Sequence, residues 1–306
     1  MGWTIDDMPD LRGRIALVTG ANSGLGLETT RALLRSGATV LMACRSRRKG
    51  EAARAELLEQ GSSGVDLLDL DLADLDNVDA CCREVQSRYD RLDLLINNAG
   101  LMAPPRLLSQ QGHEMQFAVN HLGHFALTQA LLPLMEGREQ ARVVTVTSGA
   151  QYFGAIAWDD LNGEKRYDRW KAYGQSKLAN VMFALELNHR LEQSGSSVRS
   201  LAAHPGLART NLQPLSVAAN GAWQEALAYR LMDPMFQSAA QGALPQLMAA
   251  TSTAVQGGEH YGPSKFGGMR GAPKRQPVAR AARSQEQRSR LWAVSSELIQ
   301  NRSAAV

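Results

Sequence analysis

The chain has 306 residues, 44% hydrophobic, 21% charged and 6% aromatic, and its 33 Lys and Arg against 30 Asp and Glu leave a net +3, too small a surplus to argue for nucleic-acid binding. No apolar run reaches the roughly 18 residues of a membrane span, and the opening MGWTIDDMPDLRGR lacks the apolar centre of a secretory signal. Three cysteines (Cys44, Cys81, Cys82) do not make a disulfide scaffold and fit a reducing compartment, so a cytoplasmic globular protein is expected.

From Arg14 onward, short apolar runs alternate with longer periodic segments. IALVT (15–19), TVLMA (39–43), VDLLDL (65–70), LDLLIN (92–97), RVVTVTS (142–148) and VRSLAAH (198–204) read as strands. Each is nearly continuous in apolar character, as suits a parallel sheet covered on both faces. Between them, Leu25–Ser36, Arg47–Gln60, Asn77–Tyr89, Glu114–Met135 and Ala172–Gln193 have helical length. The alternation specifies right-handed βαβ units in a doubly wound, mostly parallel α/β sheet, a Rossmann fold. No linker divides the chain, so one domain is expected, with a core over about 11–206.

The last third differs in composition. Residues 207–258 read as a loop and two helices rich in Leu, Met, Ala and Trp, a helical lid over substrate. The basic C-terminal segment, 264–306, is concentrated in 264–290. There Lys265, Arg270, Lys274, Arg275, Arg280, Arg283, Arg288 and Arg290 stand against Glu286 alone, a net +7 that leaves −4 for the rest. A solvated basic surface accounts for this. The sharper alternative, docking to anionic lipid or a partner, leaves a peripheral membrane contact open without a transmembrane segment.

Directly after the first strand comes TGANSGLG. Glycines at 20, 24 and 26 suit a sharp turn with no Cβ between chain and ligand, and the helix behind them offers free N–H groups to a pyrophosphate. The spacing is GxxxGxG rather than GxGxxG, so the position between first strand and first helix carries the inference. The second strand ends Ala43-Cys44-Arg45, with no acid to accept from a ribose 2′-hydroxyl. Arg45, with Arg47 and Arg48 nearby, suits a 2′-phosphate, so NADP(H) is expected over NAD(H). Cations at a helix start are otherwise poorly placed.

Tyr173 and Lys177 are four apart and share one helix face. Carbonyl reduction needs a proton at oxygen as hydride reaches carbon. A free phenol, with a pKa of about 10, is a poor acid near neutrality, and an adjacent ammonium lowers that value. Together, Thr19–Gly26, Asn97-Asn98-Ala99-Gly100, Asn120, Ser148 and Tyr173-Gly174-Gln175-Ser176-Lys177 resemble, in order and spacing, the short-chain dehydrogenase/reductase superfamily. ACRS (43–46), LDLADL (70–75), FAVNHLGHFALT (117–128), HPGLART (204–210) and RLWAVSSEL (290–298) are most similar to its retinol-dehydrogenase-like group.

That resemblance implies a catalytic set of Asn120, Ser148, Tyr173 and Lys177. Tyr173 would be the proton donor, Lys177 would also hold the nicotinamide ribose, Ser148 would bond the substrate oxygen, and Asn120 would hold a water linking Lys177 to solvent. Thr147 and Ser148 alternate across a strand, so one of them faces the site, and the resemblance favours Ser148. It further implies cofactor contacts from Gly20, Asn22, Ser23, Gly24, Leu25, Gly26, Arg45, Asp71, Leu72, Asn98, Ala99, Gly100, Pro205, Gly206 and Thr210. Ala208 stands where the family pattern often has Val. No metal is expected: His113, His121 and His124 lack the acids or thiols of a ligand set.

Aromatic and apolar residues gather in two variable segments, with Tyr152, Phe153, Trp158, Tyr167 and Trp170 in the first. Leu212, Leu215, Trp223, Tyr229, Leu231, Met232 and Met235 lie in the second. They suit a lipophilic carbonyl or alcohol, retinal-like or a long-chain aldehyde or ketone. A light-dependent protochlorophyllide reductase is the competing enzyme, but it has a cysteine where this chain has Leu207. A non-catalytic NADP(H)-binding regulatory protein is the other alternative, and retention of Ser148, Tyr173 and Lys177 argues against it. The resemblance implies that a homodimer could form through the two long helices, Glu114–Met135 and Ala172–Gln193, as relatives often pair there, with the alternative that the C-terminal tail blocks or changes that pairing.

Overall fold

The computed structural model describes residues 2–208 and 236–301. Eight strands form one sheet: β1 Ile15–Thr19, β2 Thr39–Cys44, β3 Val65–Asp69, β4 Leu94–Asn97, β5 Arg142–Val146, β6 Arg199–Ala203, β7 His260–Lys265 and β8 Arg270–Arg275. Their order is β3-β2-β1-β4-β5-β6-β7-β8, parallel throughout except for β8 against β7. The strand order reverses between β1 and β4, and ligands of such sheets bind outside the carboxyl ends of the strands at that point.

Period-two alternation sorts the strand residues into two cores. Ala16, Val18, Val40 and Met42 face one layer, which holds α1 (Gly24–Arg35), α2 (Arg47–Glu59) and, from beyond residue 235, α6 (Ala239–Thr251). Leu17, Leu41, Leu95 and Val143 face the other, covered by α3 (Leu75–Arg88), α4 and α5 (Arg169–Gln193). Here α4 is a continuous helical run, Met115–Phe117, a π turn Ala118–Leu122 and Gly123–Leu131. Helix starts follow their caps: Asp168 accepts from Trp170 and Lys171 N–H, which begins α5 three residues ahead of the expected Ala172.

Three features of the last third differ from the sequence reading. Within the segment read as a lid, residues 239–251 form α6, which packs on α1 and the sheet, while 209–235 lie outside the described residues. The basic segment builds an edge of the sheet rather than only a solvated surface. HYGPSK and RGAPKR pair as β7 and β8, Pro263 opposite Pro273. Proline, glycine and exposed cations mark an edge strand, and they hid it from a search for apolar runs. Several of the cations have structural partners: Arg275 pairs with Glu259 at 3.1 Å, Arg288 reaches the buried Glu186, and Arg290 lies 4.2 Å over the Trp158 ring.

The third feature is α7 (Gln285–Gln300), which docks on α4 and α5. Trp292 meets Phe125 edge-on at 5.0 Å and stacks on Phe183 at 6.0 Å, with the Arg190 guanidinium 4.4 Å over its ring. His121 bonds Ser295 at 2.8 Å. The C-terminal segment thus packs on both of the long helices. No helix among the described residues is long and apolar enough to cross a membrane.

Candidate active site

At the carboxyl end of β1 the chain must turn back beneath α1. Gly20 and Gly24 take φ of +66° and +54°, in the left-handed region. Gly26 is closed to any side chain: a Cβ there would lie 2.2 Å from the Gly20 carbonyl oxygen and 2.7 Å from Asn98 Nδ2. Ser23 makes no side-chain cap, leaving the first-turn N–H groups of α1 to a ligand. The neighbouring loop is tied to the same strand end. Asn98 donates through Nδ2 to the Thr19 carbonyl at 2.8 Å, and the N–H groups of Asn98 and Ala99 both reach Thr19 Oγ1 at 2.9 Å.

These elements line a cleft with Gly20, Asn22, Ser23, Gly24, Leu25, Gly26, Arg45, Asp71, Leu72, Asn98, Ala99 and Gly100, all expected from the sequence. Ser46, which caps α2, and Lys49 of its first turn join them unanticipated. Arg45 makes no hydrogen bond or ion pair to another described residue, whereas Arg47 is committed to Asp69 at 2.9 Å and turned from the cleft. Arg48 is likewise not among the lining residues. An open glycine cradle, uncapped N–H groups and a free guanidinium fit the pyrophosphate and ribose end of a nicotinamide dinucleotide.

The cleft shares Leu25, Asn98 and Gly100 with a cavity of about 620 Å³. Ser148, Tyr173, Lys177, Pro205 and Gly206 line it; Thr210 lies outside the described residues. Thr147 and Ser148 both lie just past β5 and both line the cavity, rather than one alone, and their hydroxyls make different contacts. Thr147 Oγ1 donates to the Lys177 carbonyl at 2.7 Å, while Ser148 starts the next turn and accepts from Ala150 N–H at 3.2 Å. Lys177 Nζ lies 5.8 Å from the Tyr173 ring centre and 3.4 Å from the Val146 carbonyl. Burial without a compensating carboxylate pushes the Lys177 ammonium down to about 8.

Asn120 lies in the π turn, fully buried. Its side chain is a tie within the protein: Oδ1 accepts from Leu101 N–H at 2.7 Å, and Nδ2 donates to the Leu101 carbonyl at 3.0 Å and Ser176 Oγ at 2.8 Å. Sequence reasoning gave Ser176 no role, and it also missed Gln246 of α6, which donates to Asn98 Oδ1 at 3.2 Å. No motif marks Gln246, since it reaches the site from 148 residues away in sequence.

Of the aromatics expected around substrate, Tyr152, Phe153 and Trp170 line the cavity, joined by Met102, Leu207, Phe236 and Met269. Trp158 lies under Arg290 and Tyr167 bonds Glu114 at 3.0 Å, so neither lines it. The seven residues expected from Leu212 to Met235 are outside the described residues. Ala208 packs against Gly242 of α6, where an added Cβ on Gly242 would come within 2.5 Å of the Ala208 Cβ.

A doubly wound sheet with a glycine cradle at its switch point, opening into a cavity that holds a phenol, an amine and a hydroxyl, defines a dinucleotide-binding α/β protein. Comparison with known proteins narrows the class. Residues 14–219 match the family model for short chain dehydrogenase. Human retinol dehydrogenase 14 is 41% identical over 276 residues, 83% of this chain and 80% of that one. Mouse retinol dehydrogenase 12 is 39% identical over 290 residues, 94% and 86% of the two chains. A crystal structure of an uncharacterized protein from Mycobacterium Paratuberculosis superposes with a TM-score of 0.80 at 41% identity, covering 98% of each chain. The chain belongs to the short-chain dehydrogenase/reductase superfamily, in its retinol-dehydrogenase-like group, and is an oxidoreductase of that family.

Proposed function

We propose that this protein is an NADP(H)-dependent oxidoreductase acting on a lipophilic carbonyl or the corresponding alcohol, retinal-like or long-chain. The observation that carries this reading is one cavity lined by Ser148, Tyr173 and Lys177, with apolar walls, continuous with the glycine cradle. Bound in the cleft, the nicotinamide supplies or takes up hydride. In the reducing direction the Tyr173 hydroxyl gives its proton to the substrate oxygen, and Ser148 donates a hydrogen bond to the same atom as charge develops there. Lys177, in its charged form, favours the phenolate left on Tyr173 and offers its N–H groups to the nicotinamide ribose. Pro205, Gly206 and Thr210 are assigned to the loop over the nicotinamide, and Asp71 and Leu72 to the adenine pocket.

Selectivity for NADP(H) is supported by Arg45, with Lys49 beside it and no carboxylate at the end of β2. Lipophilic substrates are supported by Met102, Phe153, Trp170, Leu207, Phe236 and Met269. The test is loss of NADPH absorbance with a panel of long-chain, retinoid and small polar carbonyls. Turnover of the lipophilic members is expected, with a fall of about 100-fold or more in Tyr173→Phe. Turnover confined to small polar carbonyls, or a preference for NADH, would overturn the reading.

A further inference from the structure

We propose that His124 is a positioning residue that ties the cofactor strand β1 to the π turn of α4 at Asn120, using one ring nitrogen for each side. The inference rests on the site assignments proposed above. His124 is 1% exposed on α4, and its Nε2 lies 2.9 Å from Thr19 Oγ1 while its Nδ1 lies 3.1 Å from the Asn120 carbonyl oxygen. The partners fix the proton positions. A carbonyl only accepts, so Nδ1 carries the hydrogen. Thr19 Oγ1 already accepts from the N–H groups of Asn98 and Ala99, so its own proton goes to Nε2. The competing Ile96 carbonyl is farther, at 3.4 Å. Burial keeps the ring neutral by holding its pKa near 4.

The π turn makes this contact meaningful. Gly123 N–H bonds the Ala118 carbonyl, five residues back, which displaces the ordinary helical register through Asn120. The His124 side chain supplies a donor to Asn120 there. From Asn120 the bonding continues toward the chemistry: Nδ2 donates to Ser176 Oγ at 2.8 Å, and the Ser176 hydroxyl donates to the Tyr173 carbonyl at 2.9 Å. Two short runs of donors thus meet at one residue: Thr19 and His124 lead to the Asn120 backbone carbonyl, and the Asn120 side chain leads through Ser176 to the first turns of α5. The second arm of Asn120, to Leu101, anchors the loop that follows Gly100, where Lys177 Nζ also sits.

Two variants separate the nitrogens. His124→Gln places an amide near Nε2 and keeps the Thr19 contact; His124→Asn places one near Nδ1 and keeps the Asn120 contact. NADPH affinity is read by fluorescence titration, kcat with the best carbonyl substrate, and Tm by thermal melt. The expected result is a split of about fivefold to tenfold, the effect of one buried hydrogen bond. In His124→Gln kcat falls by that factor with Kd changed less than threefold, and in His124→Asn Kd rises by it with the smaller loss in kcat. Ser176→Ala, which separates the Asn120 side chain from α5, is expected to lower kcat without changing Kd, and unchanged kcat there overturns the proposed role of the Asn120 turn even if a His124 variant does not fold. Parallel loss of Kd and kcat that tracks Tm, or no change in either, overturns the proposal. Failure of the unaltered protein to bind NADPH or NADH instead defeats the cofactor reading beneath it.

Discussion

Replacing Gly26 by alanine tests whether the glycine turn is a ligand cradle or only a tight fold junction. The added Cβ would sit 2.2 Å from the Gly20 carbonyl oxygen and 2.7 Å from Asn98 Nδ2, so ordinary contact requires more than about 1 Å of separation. Neither neighbour moves freely, since Gly20 N–H bonds the Ala43 carbonyl and Asn98 bonds Thr19, each at 2.8 Å. Overpacking of this kind costs roughly 1–3 kcal/mol, and about 1 kcal/mol returns through better helix propensity. Net destabilisation is therefore expected at about 0–2 kcal/mol. Binding suffers more, because the displaced groups are those that touch the dinucleotide; loss of two or three backbone contacts at about 1 kcal/mol each gives a Kd increase of roughly 30-fold to 150-fold. Urea titration and NADPH fluorescence titration measure the two quantities. Unchanged affinity in a destabilised Gly26→Ala protein would refute the cradle.

Arg45→Ala is expected to raise the KM for NADPH about tenfold and leave that for NADH unchanged, an effect that salt diminishes because the site is exposed; equal effects on both coenzymes would refute the 2′-phosphate contact. Acid should destabilise the fold. Burial holds His121 and His204 near pKa 3 and His124 and His260 near 4, all below the unfolded value of about 6.5. The unfolded chain therefore binds more protons as pH falls below 6.5, and stability drops by up to about 1.4 kcal/mol per pH unit for each histidine, visible as a lower Tm at pH 5 than at pH 7. Lys177 acts in another window: with its folded pKa near 8 and about 10.5 unfolded, its contribution to stability grows as pH rises between those values. Trp292→Ala should cost about 3 kcal/mol in a urea titration by emptying the aromatic contact between α7 and α4–α5; a change below about 1 kcal/mol would show α7 to be weakly docked.

Six strands of the parallel sheet and the residues of the glycine turn were legible in the sequence because buried central strands are apolar without interruption and a backbone cradle excludes every residue but glycine. Ser148, Tyr173 and Lys177 were legible as a set of types at fixed order, and the structure brings them to one cavity. The unread parts share a physical cause. β7 and β8 contain proline, glycine and cations because an edge pair needs no continuous apolar face. The π turn at Ala118–Leu122 leaves no compositional trace, so nothing in the sequence beyond the absence of a metal-ligand set described the ring of His124. Gln246 and Met269 reach the site through tertiary placement from the last third of the chain.

α7 has a consequence for copy number. A helix tethered to its own receptor face acts at an effective concentration in the millimolar range, far above the level at which a second molecule arrives in dilute solution. Self-association through α4 and α5 would first have to evict Trp292 and Leu291 from their seats and strand the Glu186 carboxylate without Arg288. A second copy could reach that part of α4 and α5 only after α7 had left it.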